Sequence, residues 1–181
     1  MGLKKTSRST ISKATPLADI MKLAPPCSCT ACSHGCTMGS GMLAGDDAKR
    51  IAKFLGITEA ELKEKFLEEQ ELLNKKMLRP KLERNGKPYG KCTFYDEKRG
   101  CTVHEVKPLQ CRISIGCRPY SSDLTAWFTL NYVLDSYDPE AVRQYADYIA
   151  SGGHTIQGGK LEEIMPDKKK RKEILGFKIL K

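Results

Sequence analysis

The sequence predicts a mainly α-helical fold with a small β-hairpin, in which irregular cysteine-rich loops pack around a metal site. Three observations lead there. Caps and apolar stripes mark several short helices, one segment alternates around a polar turn as a hairpin does, and eight cysteines fall into two groups. With 181 residues the chain can bury a core without disulfide staples.

The elements follow in order. The first dozen residues, rich in Ser, Thr and Lys, read as mobile, and residues 16–23 read as a short helix ended by Pro25 and Pro26. Residues 27–45 hold four cysteines and several glycines but few branched apolar side chains, which suits a loop wrapped around an ion or cluster. Residues 46–55 place Ile51, Phe54 and Leu55 at helical spacing, with Gly56 closing the helix. Thr58 and Glu61 form a capping-box pattern, and Ile57 and Leu62 stand where a hydrophobic staple packs. Leu62, Phe66, Leu73 and Met77 continue one stripe, so a single long helix is expected there.

Residues 91–96 alternate, and a polar turn ending in Gly100 leads to Cys101, Thr102 and Val103, predicting a hairpin that carries two cysteines. Residues 122–134 read as a helix through Leu124, Trp127 and Phe128. Asp138-Pro139-Glu140 then supplies an N-cap with proline at the first helical position, opening a helix to about residue 150. Glycines break the chain around His154, and residues 161–165 and 167–175 read as two short helices. Trp127, Phe128, Tyr132, Tyr137, Tyr145 and Tyr148 lie on helical faces and are expected in the core. The resulting division is a basic, partly mobile segment (1–26), a cysteine-cluster metal-binding domain (27–159) and a basic helical segment (160–181).

The net charge of +9 sits at the ends, since residues 1–26 and 160–181 each carry a net +4. A zinc-stabilised protein that binds RNA through Lys4, Lys5, Arg8 and the run at 168–172 is therefore one alternative, although such a run beside Glu173 suits a solvated face. No stretch approaches the ~18 apolar residues of a membrane span, and no apolar run follows the N-terminal charges as in a secretory signal. Gly2 and Thr6 match the short N-myristoylation pattern, which is weak alone. A soluble, cytoplasmic protein with no membrane association is expected. In that reducing compartment thiolates persist as metal ligands, and disulfides stay open as the alternative seen in intracellular hyperthermophile proteins.

Cys27, Cys29, Cys32 and Cys36 fall within ten residues, while Cys92, Cys101, Cys111 and Cys117 are separated by eight, nine and five residues. All eight are candidate metal ligands. A soft cation takes several thiolates at about 2.3 Å, and joining the two groups through metal closes a long loop, which links binding to folding. Spacing separates zinc from iron–sulfur weakly. Only Cys29 to Cys32 shows the Cys-x2-Cys interval of zinc ribbons, whereas Cys29, Cys32 and Cys36 match the last three cysteines of a bacterial ferredoxin run, with Thr37 in place of its proline. An iron–sulfur cluster, such as 4Fe-4S, is preferred over zinc. His34 and His104 are further candidate ligands, His154 a weaker one. The glycine-rich residues 35–45 can bring backbone amides to the sulfurs. Arg112 is expected to pair with a carboxylate such as Glu105.

These residues resemble the YkgJ-like cysteine-cluster family of zinc- or iron-chelating domains over residues 27–120. The carriers are Cys29, Cys32 and Cys36, the segment from Gly45-Asp46-Asp47 to Leu55-Gly56, then Cys92-Thr-Phe-Tyr-Asp, Gly100-Cys101-Thr-Val-His104 and Lys107-Pro108-Leu-Gln-Cys111-Arg112. The chain departs from the family in lacking an adjacent Cys-Cys pair, and Cys27 and Cys117 stand as additions. The resemblance implies a chelating domain, and through flagellin lysine methylases it offers an enzyme, or an accessory factor for protein lysine methylation, as an alternative. The leading expectation is a metal-dependent binding, accessory or electron-transfer module with an unknown protein partner. The cysteine order of radical S-adenosylmethionine enzymes is absent, as are glycine-rich nucleotide cradles, and no catalytic residue is identifiable.

Overall fold

The computed structural model of the chain describes residues 11–177, with helices at both ends and three small antiparallel hairpins between them. α1 (Leu17–Leu23) follows Pro16 and stops at Ala24, ahead of the proline pair. The stretch expected as a loop is helical in part: α2 (Thr30–Met38) starts from Cys29 and has no fully buried residue. Cys29, Cys32 and Cys36 fall three and four residues apart on one face of it. Thiols rather than aliphatic side chains carry that periodicity, so a search for apolar stripes passes over it.

α3 (Asp47–Leu55) ends on Gly56, which adopts the left-handed conformation at φ 68°. Ile51 is fully buried, but Phe54 stays 46% exposed instead of joining the same face. α4 (Glu59–Phe66) has the full capping box: Thr58 Oγ1 accepts from the Glu61 amide at 3.1 Å, and the Glu61 carboxylate accepts from the Thr58 amide at 3.0 Å. Ile57 and Leu62 pack in the same apolar cluster.

The long helix to Met77 does not form. At Leu67 the chain enters a hairpin, β1 (Leu67–Leu72) with β2 (Lys75–Pro80), with Leu67 opposite Pro80 and Leu72 opposite Lys75. Leu73 and Asn74 make the two-residue turn, both at positive φ (49° and 58°). Distant partners settle the choice. Glu68 pairs with the facing Arg79 at 2.9 Å and also with Arg84. The Asn74 amide donates to Asp138, and the Lys75 ammonium donates to the Tyr132 carbonyl, both at 2.7 Å. A helix would forfeit these contacts.

β3 (Leu82–Glu83) pairs with β4 (Lys91–Cys92), and β5 (Tyr95–Asp96) with β6 (Gly100–Cys101). The second pair is the expected hairpin. Lys91 and Cys92, expected to belong to it, pair upstream instead. α5 (Leu109–Ile113) precedes α6 (Ser121–Phe128), which runs into a π-helical turn at Thr129–Val133. In α7 (Pro139–Ala150) the Asp138 carboxylate caps the amides of Glu140 and Ala141, with Pro139 at the first position. α8 (Leu161–Ile164) and α9 (Lys168–Gly176) close the chain, with Asp167 capping α9 and Lys168, Lys169 and Lys170 exposed.

The main core joins Ile20 of α1, Ile113 of α5, Leu124, Trp127 and Phe128 of α6, and Ala141 and Tyr145 of α7. Phe128 and Tyr132 stack at 5.2 Å between ring centroids. Tyr137 is not core, as its helical placement suggested; it stands in the turn before α7, 85% exposed. Tyr148 is also largely exposed. A second, smaller core gathers Leu43, Ile51, Leu62, Leu67, Cys92, Phe94 and Val103. Ile11 and Ser12 are tied down rather than mobile, Ile11 being buried and Ser12 bridging to Gln157. The rest of that first dozen, with Lys4, Lys5, Arg8 and the acylation pattern, lies outside the described residues. No helix among the described residues is long and apolar enough to cross a membrane.

Candidate metal centre

Residues 90 positions apart meet because the chain on either side of them is clamped. The Tyr120 hydroxyl donates to the Leu23 carbonyl at 2.8 Å, and Trp127 Nε1 donates to the Thr15 carbonyl at 2.9 Å. These bonds hold the segment leading to Cys27 against α6 and the loop before it, which carries Cys117. Gly116 lets the loop approach closely: a Cβ at that position would stand 3.2 Å from the Ala31 carbonyl oxygen, a tight contact that a larger residue would relieve only by a small shift of the Cys117 loop or α2. The outcome is a tight group. The Sγ atoms of Cys27, Cys29, Cys32 and Cys117 all lie within 4.8 Å of one another, and Cys117 is 3.8 Å from both Cys27 and Cys32.

Within this group the thiols differ in acidity. The Cys32 amide, directed at the Cys29 sulfur, lowers the Cys29 pKa to about 7, with help from the neighbouring thiols. Burial, and hydrogen bonding to Cys27 and Cys29, push Cys32 up to about 12. One sulfur is thus ready to ligate near neutral pH, while another gives up its proton only when a cation replaces it.

The other four cysteines line a cavity of about 810 Å³ that also reaches Cys27 and Cys32. Burial raises all four thiols, Cys92 and Cys111 up to about 12, while Lys107 opposes the rise at Cys36 and Cys101. All eight cysteines are free thiols. From the glycine-rich segment one amide does reach a sulfur: Gly41 N–H donates to Cys111 Sγ at 3.2 Å.

A buried carboxylate fixes the same neighbourhood. Asp47, 1% exposed, accepts from the amides of Ala44 and Leu109, both at 2.8 Å, and pairs with Arg50. Gln110 Oε1 accepts from the Met42 amide at 2.6 Å. Together they fasten α5, and with it Cys111, to the segment entering α3. The sequence marked Asp47 only within the Gly45-Asp46-Asp47 segment that carries the resemblance and gave it no role, because an aspartate beside a helix start is usually a solvated cap.

The histidines are placed plainly. His34 is exposed on α2. His104 Nε2 lies 3.1 Å from the Cys27 carbonyl oxygen and 3.4 Å from the Lys107 ammonium, beside the backbone of the first group. His154 contacts Asp123 at 2.7 Å. Among the described residues Arg112 forms no ion pair with Glu105, which is exposed to solvent.

Four sulfurs this close form a soft, anionic donor set suited to zinc or iron. The comparisons agree with that chemistry. No curated protein and no solved structure gives a significant match. A family model described as "CxxCxxCC: Putative zinc- or iron-chelating domain" matches residues 28–128, beginning just after Cys27 and reaching the end of α6. With more than half of its length matched, the chain belongs to this family of zinc- or iron-chelating cysteine domains.

Proposed function

We propose that the protein is a thiolate metal-binding module in which Cys27, Cys29, Cys32 and Cys117 enclose one metal ion, zinc ahead of iron. The observation that carries this reading is the mutual approach of the four sulfurs within 4.8 Å. Thiolates at about 2.3 Å from one tetrahedral ion stand about 3.8 Å apart, the separation seen for two of the pairs. A multi-iron cluster spreads its thiolates over separate irons, so it suits this set less well than a single ion does. The ion's role is that of a staple and scaffold. It locks the N-terminal arm to the loop after α5, across 90 residues of chain, and steadies the rim of the open cavity beside it. Binding or accessory action follows from that cavity.

The test is metal content per chain in protein purified without oxygen. The wild type is expected to hold one tightly bound ion that Cys117→Ser releases at least tenfold more readily. Equal retention in both proteins would defeat the ligand assignment.

A further inference from the structure

We propose that Cys27 and Cys117 are a site of oxidative modification: a hydroperoxide joins them in a disulfide that expels the bound ion and takes over its task of tying the N-terminal arm to the loop after α5. This rests on the metal centre proposed above and adds how that centre is opened and closed.

Geometry selects the pair. Two sulfur pairs of the first group stand at 3.8 Å, Cys27 with Cys117 and Cys32 with Cys117, so Cys117 is common to both. A disulfide needs about 2.05 Å between sulfurs, which leaves about 1.8 Å to be closed by movement of one partner. Cys32 is ill placed to supply it, because it lies in the first turn of α2 with its amide bonded to the Cys29 carbonyl at 3.0 Å. Cys27 belongs to no helix or strand, standing between Pro26 and α2, and Cys117 lies in a turn. Both can shift without breaking a helix.

The clamp that brings these two together does not involve the ion. The Tyr120 hydroxyl on the Leu23 carbonyl, at 2.8 Å, ties the same two segments close to both cysteines. The sulfurs therefore stay neighbours as the ion leaves. Cys117 is exposed, so a peroxide reaches it without the fold opening. Cys29, the other exposed thiol, caps α2 and makes neither of the two close contacts.

The Cys117 thiolate attacks one peroxide oxygen: an S–O bond forms, the O–O bond breaks, and the leaving oxygen takes a proton to become water, or an alcohol from an organic hydroperoxide. The Cys27 thiolate then attacks the Cys117 sulfur. The S–S bond forms, the S–O bond breaks, and the departing hydroxide takes a proton as water. Two electrons have passed from the two sulfurs to the peroxide. Cys29 and Cys32 are too few to hold the ion by themselves, and they take up protons as it departs. A dithiol reductant returns the two electrons and restores all four ligands. The new bond closes the same span of 90 residues that the ion closed, so the oxidised chain keeps its staple.

The test uses the full chain, purified without oxygen, with its metal counted before one equivalent of hydrogen peroxide is added. A colorimetric chelator reads released metal, and unreduced peptide maps of the alkylated protein read the cross-links. The expected result is a cross-link between Cys27 and Cys117 at least tenfold more abundant than any other, with metal release equal to the cross-linked fraction. Dithiothreitol with added metal should restore both the thiols and the bound ion. The oxidised chain should also unfold at a higher temperature than reduced chain stripped of metal. Dominance of another pair, such as Cys29 with Cys32, a cross-link formed with the metal retained, or an unfolding temperature no higher than that of the stripped chain would overturn the proposal. A chain that holds no metal before peroxide defeats the metal centre instead, and the cross-link map then still decides whether Cys27 and Cys117 are the oxidised pair.

Discussion

Around Phe128 the chain packs as helical proteins ordinarily do: Ile20, Ile113, Leu124, Val133 and Ala141 are all fully buried, and Tyr145 closes the layer with its hydroxyl bonded to the Gly159 carbonyl. Around Cys92 the material is different. The apolar set is smaller, two of its three hairpins have two-residue strands, and thiols occupy positions where aliphatic side chains would otherwise pack. Isolated hairpins of that size are marginal in water. The contrast teaches that the first region stands on hydrophobic burial, whereas the second has less of it and sets thiols among its apolar side chains.

Metal removal should break the comparison open and is the largest effect expected. Structural zinc sites contribute about 10–16 kcal/mol of apparent binding free energy, as much as a domain's whole stability. After chelation under reducing conditions, amide exchange should rise by orders of magnitude in α2 and the hairpins while α6 and α7 keep their protection. Equal loss in both regions, or in neither, would remove the distinction.

Asp47 sits where the two regions meet. Asp47→Ala leaves the amides of Ala44 and Leu109, and the Arg50 guanidinium, without their buried acceptor. Denaturant unfolding should show a loss of about 3 kcal/mol; a loss under about 1 kcal/mol would mean that the seam is held by other contacts.

A smaller effect sharpens the contrast among the thiols themselves. In metal-free protein at pH 7, iodoacetamide should modify Cys29 first, since its thiol is lowered to about 7, and Cys92 and Cys111 last, since burial holds theirs at about 12. Peptide mapping by mass spectrometry reads the order, and early modification of Cys92 would contradict the burial account.

The smallest effect concerns β1. Arg84 first, then Arg79, hold the Glu68 carboxyl down to about 2. A depressed carboxyl contributes stability that is present above its unfolded pKa, about 4.3, and lost as pH falls toward 2. Glu68→Gln should therefore cost about 1 kcal/mol at neutral pH and flatten the stability profile between those values. An unchanged profile would assign the acid sensitivity elsewhere.

Much of the fold was legible because its signals are local. The Thr58 and Glu61 box, Gly56 after α3, and Asp138 with Pro139 before α7 each act within a few residues, and each forms as read. The helix expected to reach Met77 failed because Leu62, Phe66, Leu73 and Met77 share a period by coincidence, while the ion pairs of Glu68 and the contacts of Asn74 and Lys75 lie far along the chain. The same holds for the site. That the cysteines would gather was readable from their density, but which four would gather was not. Cys117 joins Cys27 through Tyr120 on Leu23 and Gly116 on Ala31, contacts that no spacing rule contains.

The central claim is that Cys27, Cys29, Cys32 and Cys117 enclose one ion, and X-ray absorption at the edge of the bound metal tests it most directly. The account predicts a first shell of four sulfurs at about 2.3 Å in the wild type and a lost sulfur in Cys117→Ser. A shell dominated by nitrogen or oxygen, or one unchanged in that variant, would contradict it.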